Sequence, residues 1–162
     1  MMPVPTAPLV HYLGDACAWV AAFLAGRWVH RNFPERIEHL ARQTSPSYFV
    51  CMAIGGVIGA WLMGSLNTLG SAHPTLSHSI AGALAGAIIA VELWKWRHHA
   101  TETTGAAFVL PITLGIVVGR WGCLFAGLAD GTYGVPTTLP WAVNLGDGIG
   151  RHPVQIYESL SM

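Results

Sequence analysis

The sequence predicts an all-α, polytopic membrane protein with four full transmembrane helices, an outer-face segment rich in Gly and Pro, and the start of a fifth helix. Of the 162 residues, 52% are hydrophobic and only 10% are charged, whereas a soluble domain usually carries about 25% charged residues. Apolar stretches of nearly spanning length recur four times along the chain. The formal net charge is zero, which gives no electrostatic support for nucleic-acid binding.

The four apolar stretches approach the roughly 20 residues that a helix needs to cross about 30 Å of hydrocarbon. They run from Leu9 to Val29, from Tyr48 to Leu69, from Leu76 to Trp96 and from Gly105 to Trp121. The segment from 122 to 150 is too polar and too broken to span, and Pro153 suits the first turn of another helix. We therefore expect residues 1–162 to form a single integral-membrane domain that is incomplete at its C-terminus.

Basic residues are concentrated in two of the predicted loops. Six of the eight Lys and Arg residues lie there or at the adjoining helix ends: Arg27, Arg31, Arg36, Arg42, Lys95 and Arg97. The link from 70 to 75 carries no charge. The positive-inside rule then places the two basic loops in the cytoplasm and the N-terminus outside. The remaining two arginines, Arg120 and Arg151, fall on the outer side against this bias, so we interpret them as functional.

Arg120 stands at the outer end of the fourth predicted helix, between Gly119 and Gly122. Its planar guanidinium matches two oxygens of a phosphate, and the glycines would let a headgroup approach the backbone. The alternative is an interfacial anchor that reaches for the headgroups. Arg151 and His152, at the mouth of the last predicted helix, favour a second contact with an anion.

The three cysteines are scattered and predict neither a disulfide framework nor a zinc site. Cys123 lies one helical turn after Arg120, and we expect it to line a pocket rather than to act as a nucleophile. His78 is predicted to face the same compartment as Arg120 and is a further site candidate. We expect no metal ion at the site.

Four stretches, in this order, resemble the prolipoprotein diacylglyceryl transferase family. They are "HYLGDACAWVAAFLAGRW", "SHSIAGALAGAIIAVELW", "GRWGCLFAGLADGTYGVPTTLPWAV" and "RHPVQIYE", of which the last two are specific and the first two loose. The chain departs from the family at Cys123, where asparagine is usual. It also has Ile80 where the family has a histidine, with His78 two residues earlier. The late helices of the family lie beyond the end of this chain.

The resemblance implies a multi-pass enzyme of the bacterial inner membrane. Such an enzyme moves the diacylglyceryl group of phosphatidylglycerol onto the lipobox cysteine in the signal peptide of a lipoprotein precursor, and releases glycerol phosphate. It implies catalytic roles for Arg120 and for His152 or Asp130 as base, and no cofactor. The residues assigned to phosphatidylglycerol are Arg120, Gly119, Gly122, Cys123, Tyr133, Arg151 and His78.

Two other functions are compatible with the sequence. A catalytically inactive, lipid-binding homologue would keep the fold without the chemistry. A small transporter would use Asp15, Glu92 and the histidines as a proton path, although neither a broken-helix pair nor an inverted repeat is visible.

Overall fold

The computed structural model describes residues 1–69 and 76–162, so the predicted uncharged link from 70 to 75 lies outside the described residues. The described residues form these elements, in chain order: β1 (Met2–Pro3), α1 (Val10–Asn32), α2 (Pro34–Gln43), α3 (Pro46–Thr68), α4 (Ile80–Arg97), α5 (Val109–Ala126), β2 (Val143–Asn144), β3 (Gly150–Arg151) and α6 (Val154–Ser161). They divide into two compact units. The first comprises residues 1–36 and 105–162, and the second residues 37–104.

Each predicted span occurs as a long helix, with shifted ends. Helix α5 continues past the predicted end at Trp121 to Ala126, and a 3₁₀ turn extends it to Asp130. The predicted basic loop after α1 contains the charged helix α2, whose first residue is Pro34, a residue well suited to a first helical position. In the described ranges, α3 and the stretch 109–130 are long and apolar enough to cross a membrane. Four full spans therefore remain a prediction.

The fold contains a small three-stranded sheet, which the prediction of an all-α protein did not include. Strand β1 pairs with β2 in parallel, and β2 pairs with β3 antiparallel. The N-terminal segment is held there by further backbone hydrogen bonds, since Val4 N donates to Asn144 O at 3.0 Å. Leu124 of α5 packs with Val143 and Leu145 beneath this sheet, with Val4 against them. The sheet thus fixes the residues that precede α1 against the end of α5.

Glycines set the approach of α1 to α5 in the first unit. A Cβ on Gly14 would overlap the Cα of Gly122, and a Cβ on Gly122 would meet Gly14 in the same way. Further along the interface, a Cβ on Gly119 would stand 3.5 Å from Ala18 Cβ. Close backbone approach at small residues is the usual way in which helices associate in lipid. This crossing brings the start of α1 to the last turns of α5.

The second unit contains a comparable crossing between α3 and α4. A Cβ on Gly55 would collide with Gly86, and one on Gly59 would collide with Gly82. Gly55 and Gly59 are four residues apart, as are Gly82 and Gly86, and this spacing in the sequence predicts that each pair forms a packing face of its helix. The prediction that these glycines mediate close helix packing is therefore confirmed for α3 and α4.

Candidate active site

Arg120 is buried near the end of α5, with only 9% of its side chain exposed. Its Nε is ion-paired with Glu158 Oε2 of α6, and its Nη1 donates to Thr132 Oγ1 at 3.5 Å. A charge withdrawn from water needs such partners, because an uncompensated buried charge is strongly destabilising. The burial favours a role within the site over that of an exposed anchor.

Asp130 ends the 3₁₀ turn after α5, and its side chain is only 3% exposed. Its Oδ1 lies 2.9 Å from Nδ1 of His11 in α1, and its Oδ2 accepts a hydrogen bond from Thr132 Oγ1. The other ring nitrogen of His11, Nε2, lies 3.4 Å from Asp15 Oδ2. Asp130 therefore faces a histidine of the first helix.

Cys123 completes a cluster with these two residues. One ligand atom from each of His11, Cys123 and Asp130 lies within 4.8 Å of the others. The Cys123 thiol also interacts with Arg120. His11 was not among the residues predicted for the site. Its position near the outer end of α1, one turn before Asp15, was the available signal.

Arg151 lies in β3 with 10% of its side chain exposed. Its Nη1 is 2.6 Å from Asp147 Oδ2, and its guanidinium carbon lies 5.0 Å from the centre of the Tyr133 ring. Desolvation raises the pKa of Asp147, but the Ile149 backbone N–H and the Arg151 guanidinium outweigh it, so the pKa falls below its ordinary value. The Arg151 guanidinium thus lies over the Tyr133 ring, and its charge is paired with the Asp147 carboxylate.

His152 is half-buried, and Asp130 is not among its described contacts. Its Nδ1 is 3.3 Å from the hydroxyl of Tyr157, which accepts a hydrogen bond from Trp141 Nε1 at 2.7 Å. The two predicted candidates for the base therefore have different surroundings: His152 lies beside a tyrosine hydroxyl, and Asp130 lies beside an imidazole and a thiol.

The structure places three other predicted site residues in packing contacts. Gly119 and Gly122 both face α1, where Gly122 contacts Gly14. His78 belongs to the second unit, and its ring centre lies 4.0 Å from that of Trp61. The site in the first unit is therefore built from Arg120, Asp130 and their neighbours.

A cavity of about 440 Å³ adjoins this cluster. His11 and Asp130 contribute to its wall, and Tyr12 and the ends of α1 and α5 supply most of the rest. The first unit thus holds a buried guanidinium, a buried carboxylate, an imidazole and a thiol beside a cavity.

Comparisons with known proteins match this chain to proteins of one family. A family model described as "Prolipoprotein diacylglyceryl transferase" matches residues 16–162. A relative from Rhodospirillum centenum is 30% identical over 163 residues, covering 89% of this chain and 57% of its own length. One from Bordetella parapertussis is 37% identical over 84 residues, covering 49% of this chain and 31% of the relative.

A third relative, from Finegoldia magna, is 47% identical over 53 residues, covering 33% of this chain and 20% of the relative. All three relatives are named phosphatidylglycerol–prolipoprotein diacylglyceryl transferase. The matched regions cover between 20% and 57% of the length of these relatives. No solved structure matches the chain significantly.

Proposed function

Because this chain belongs to the prolipoprotein diacylglyceryl transferase family, we propose that it transfers the diacylglyceryl group of phosphatidylglycerol to a cysteine thiol of a lipoprotein precursor. The relatives named above carry both substrates in their names. The observation that carries the proposal is the buried Arg120, held by Glu158 beside a cavity-lining carboxylate. The acceptor is the lipobox cysteine of the precursor's signal peptide, and the donor comes from the surrounding membrane lipid.

The proposed chemistry is one displacement at a glyceryl carbon. The acceptor sulfur forms a bond to this carbon, the C–O bond to the phosphate breaks, and glycerol phosphate leaves with the electron pair. Glu158 engages Nε of Arg120, and Thr132 Oγ1 holds Nη1 by a long contact of 3.5 Å. A phosphate that replaces this long contact would take both terminal nitrogens as the fork that matches two of its oxygens. A fixed cation near the departing phosphate stabilises the charge that grows on it in the transition state.

Two further roles belong to this proposal. The proton of the acceptor thiol goes to a base on the outer side, for which His152 and Asp130 are the candidates, because a thiolate is the reactive form of a thiol. Arg151, with Tyr133 beneath its guanidinium, assists in binding the headgroup. His78, Gly119, Gly122 and Cys123 remain proposed contacts of the lipid.

The proposed location is the bacterial inner membrane, with the whole chain forming one integral-membrane domain. Helices α1, α3, α4 and α5 would each span it, with the N-terminus outside and the two basic loops in the cytoplasm. The α1–α5 crossing at Gly14 and Gly122 supports this arrangement, since it brings His11 and Arg120 toward the same end of their helix pair.

The test uses membranes that contain the chain, phosphatidylglycerol labelled in its diacylglyceryl group, and a lipobox peptide. Label should move to the peptide, and Arg120→Lys should reduce this transfer because an ammonium cannot form the bidentate fork. Loss of one charge-assisted contact costs about 1.5–3 kcal/mol, or roughly 10- to 150-fold in rate. The matched control is Arg97→Lys, at an exposed position of α4, which should leave transfer unchanged.

Two results would contradict the proposal. If both variants transfer equally well, Arg120 is an interfacial anchor. If the membranes retain phosphatidylglycerol through the chain but never label the peptide, the chain is a lipid-binding homologue. Monodispersity in detergent shows whether each variant is folded.

A further inference from the structure

The imidazole of His11 lies between two carboxylates near the start of α1. Its Nδ1 is 2.9 Å from Asp130 Oδ1, and its Nε2 is 3.4 Å from Asp15 Oδ2. The two carboxylates differ in burial, because the Asp130 side chain is 3% exposed and that of Asp15 is 53% exposed. One ring nitrogen therefore faces a buried carboxylate, and the other faces a carboxylate that is open to solvent.

A neutral imidazole can donate a hydrogen bond to only one of these carboxylates. It carries a single N–H, and an ionised carboxylate only accepts. The buried Asp130 has the greater need of this donor, because solvent readily hydrates Asp15 but not a side chain that is 3% exposed. The neutral ring therefore keeps its proton on Nδ1. The lone pair of Nε2 is then free, since the ionised Asp15 has no proton to donate to it.

A buried carboxylate beside Nδ1 and a free Nε2 are the arrangement in which a histidine serves as a general base. The carboxylate holds the ring in the correct tautomer and stabilises the imidazolium that forms. The Nδ1–H of His11 is close to Asp130 but not aligned with it, and catalytic hydrogen bonds often tighten only when the substrate binds. Both residues line the cavity of about 440 Å³, and the His11 side chain is 38% exposed, so a substrate thiol has access to the ring.

We propose that His11 is the base that takes the proton of the acceptor thiol, and that Asp130 is the positioning residue that orients its ring. This inference rests on the proposed function and specifies its proton transfer. Asp130 itself is poorly placed as the base, because its Oδ1 faces His11 and its Oδ2 accepts a hydrogen bond from Thr132. His152 contacts Tyr157 and is not among the described residues of the cavity wall.

The titratable and charged groups around the His11 ring favour the imidazolium product. Asp15 and Tyr12 face it from α1, Cys123 from α5 and Asp130 from the 3₁₀ turn. Once Nε2 has taken a proton, both ring nitrogens are donors. Each of the two carboxylates can then accept a hydrogen bond from the ring, so Asp15 gains a partner only after the proton transfer.

The proton transfer and the displacement form one balanced sequence. The S–H bond of the acceptor breaks as Nε2 of His11 takes the proton, and the sulfur forms a bond to the glyceryl carbon. The C–O bond to the phosphate breaks, and glycerol phosphate leaves with the electron pair beside Arg120. The imidazolium then releases its proton to water, which returns the neutral ring with its N–H on Nδ1.

The experiment compares two reduced lipobox peptides, one with cysteine and one with selenocysteine at the acceptor position. A free thiol with a pKa of about 8.5 is only about 3% ionised at pH 7. His11→Ala should therefore lower transfer to the cysteine peptide by about 30-fold at pH 7 and by less than about twofold at pH 9. A selenol is already ionised at neutral pH and needs no base, so transfer to the selenocysteine peptide should change little. His11→Asn, which keeps a donor toward Asp130 but has no basic nitrogen, should behave in the same way.

The role of Asp130 is tested with the same two peptides. Asp130→Asn should show the same pH-dependent loss, because an amide can donate to Nδ1 and so leave the ring proton on Nε2. The double variant of His11→Ala and Asp130→Asn should be no slower than His11→Ala alone, since Asp130 acts through His11. The matched control is His30→Ala, an exposed histidine near the other end of α1, which should keep the wild-type rate at both pH values.

The outcomes separate the base from the transfer reaction itself. If both His11 variants transfer to the cysteine peptide at the wild-type rate at pH 7, or lose transfer to the two peptides equally, His11 is not the base and the proposed function stands. If Asp130→Asn is slow at pH 7 while both His11 variants are not, Asp130 is the base and the inference is overturned. If the wild-type chain labels neither peptide, the proposed function fails and the inference falls with it.

Discussion

The close crossing of α1 and α5 makes a quantitative prediction about alanine substitutions. In Gly14→Ala, the new Cβ overlaps the backbone of Gly122, so the two helices must separate. Overpacking of this kind costs about 1–3 kcal/mol, while alanine gains about 1 kcal/mol over glycine within a helix. The free energy of unfolding should therefore fall by about 0–2 kcal/mol.

Gly26→Ala is the matched control on the same helix and the same interface. Its Cβ would stand 3.9 Å from Pro111 Cγ, an ordinary van der Waals distance. This variant should only gain helix propensity, about 1 kcal/mol. The two substitutions should thus differ by about 1–3 kcal/mol in the free energy of unfolding, although the chemical change is identical.

The assay is unfolding of the detergent-solubilised chain by SDS, followed by tryptophan fluorescence. Because His11 lies one turn before Gly14, separation of the helices should also move the imidazole away from Asp130. Equal unfolding free energies for Gly14→Ala and Gly26→Ala would refute the close crossing.

Two other predictions concern the outer segment and the topology. Desolvation raises the pKa of Asp147, but its hydrogen bonds and ion pair lower it below the ordinary 3.8. A lowered pKa in the folded state contributes stability above the unfolded-state pKa, which is lost as pH falls through the folded value. Asp147→Asn should therefore lower the unfolding midpoint at neutral pH, with a difference that shrinks below pH 3.8; a constant difference across the titration would contradict this. For topology, a labelling reagent applied from outside should modify a cysteine placed at Thr132 and spare one placed at Glu38, and the reverse pattern would refute the orientation.

The sequence determined the long helices and some of their contacts. Whether a stretch of about 20 residues is apolar can be read directly from the local sequence. Each predicted span therefore coincides with an observed helix within a few residues. Glycines four residues apart share a helix face, which is why the Gly55–Gly59 and Gly82–Gly86 pairs predicted close packing that α3 and α4 show. Arg120 also stood out from the sequence alone, because it departs from the charge bias of the loops.

The tertiary structure alone decided which side chains meet. Nothing in the spacing of the sequence joins His11 to Asp130 or Arg120 to Glu158, because these pairs form only once α1 and α6 have packed against α5. The small sheet could not be predicted either, because strands of two residues are too short to show the alternation of apolar and polar residues that indicates a strand. Helix formation depends on neighbours along the chain, whereas the site depends on how closely two backbones approach at a pair of distant glycines.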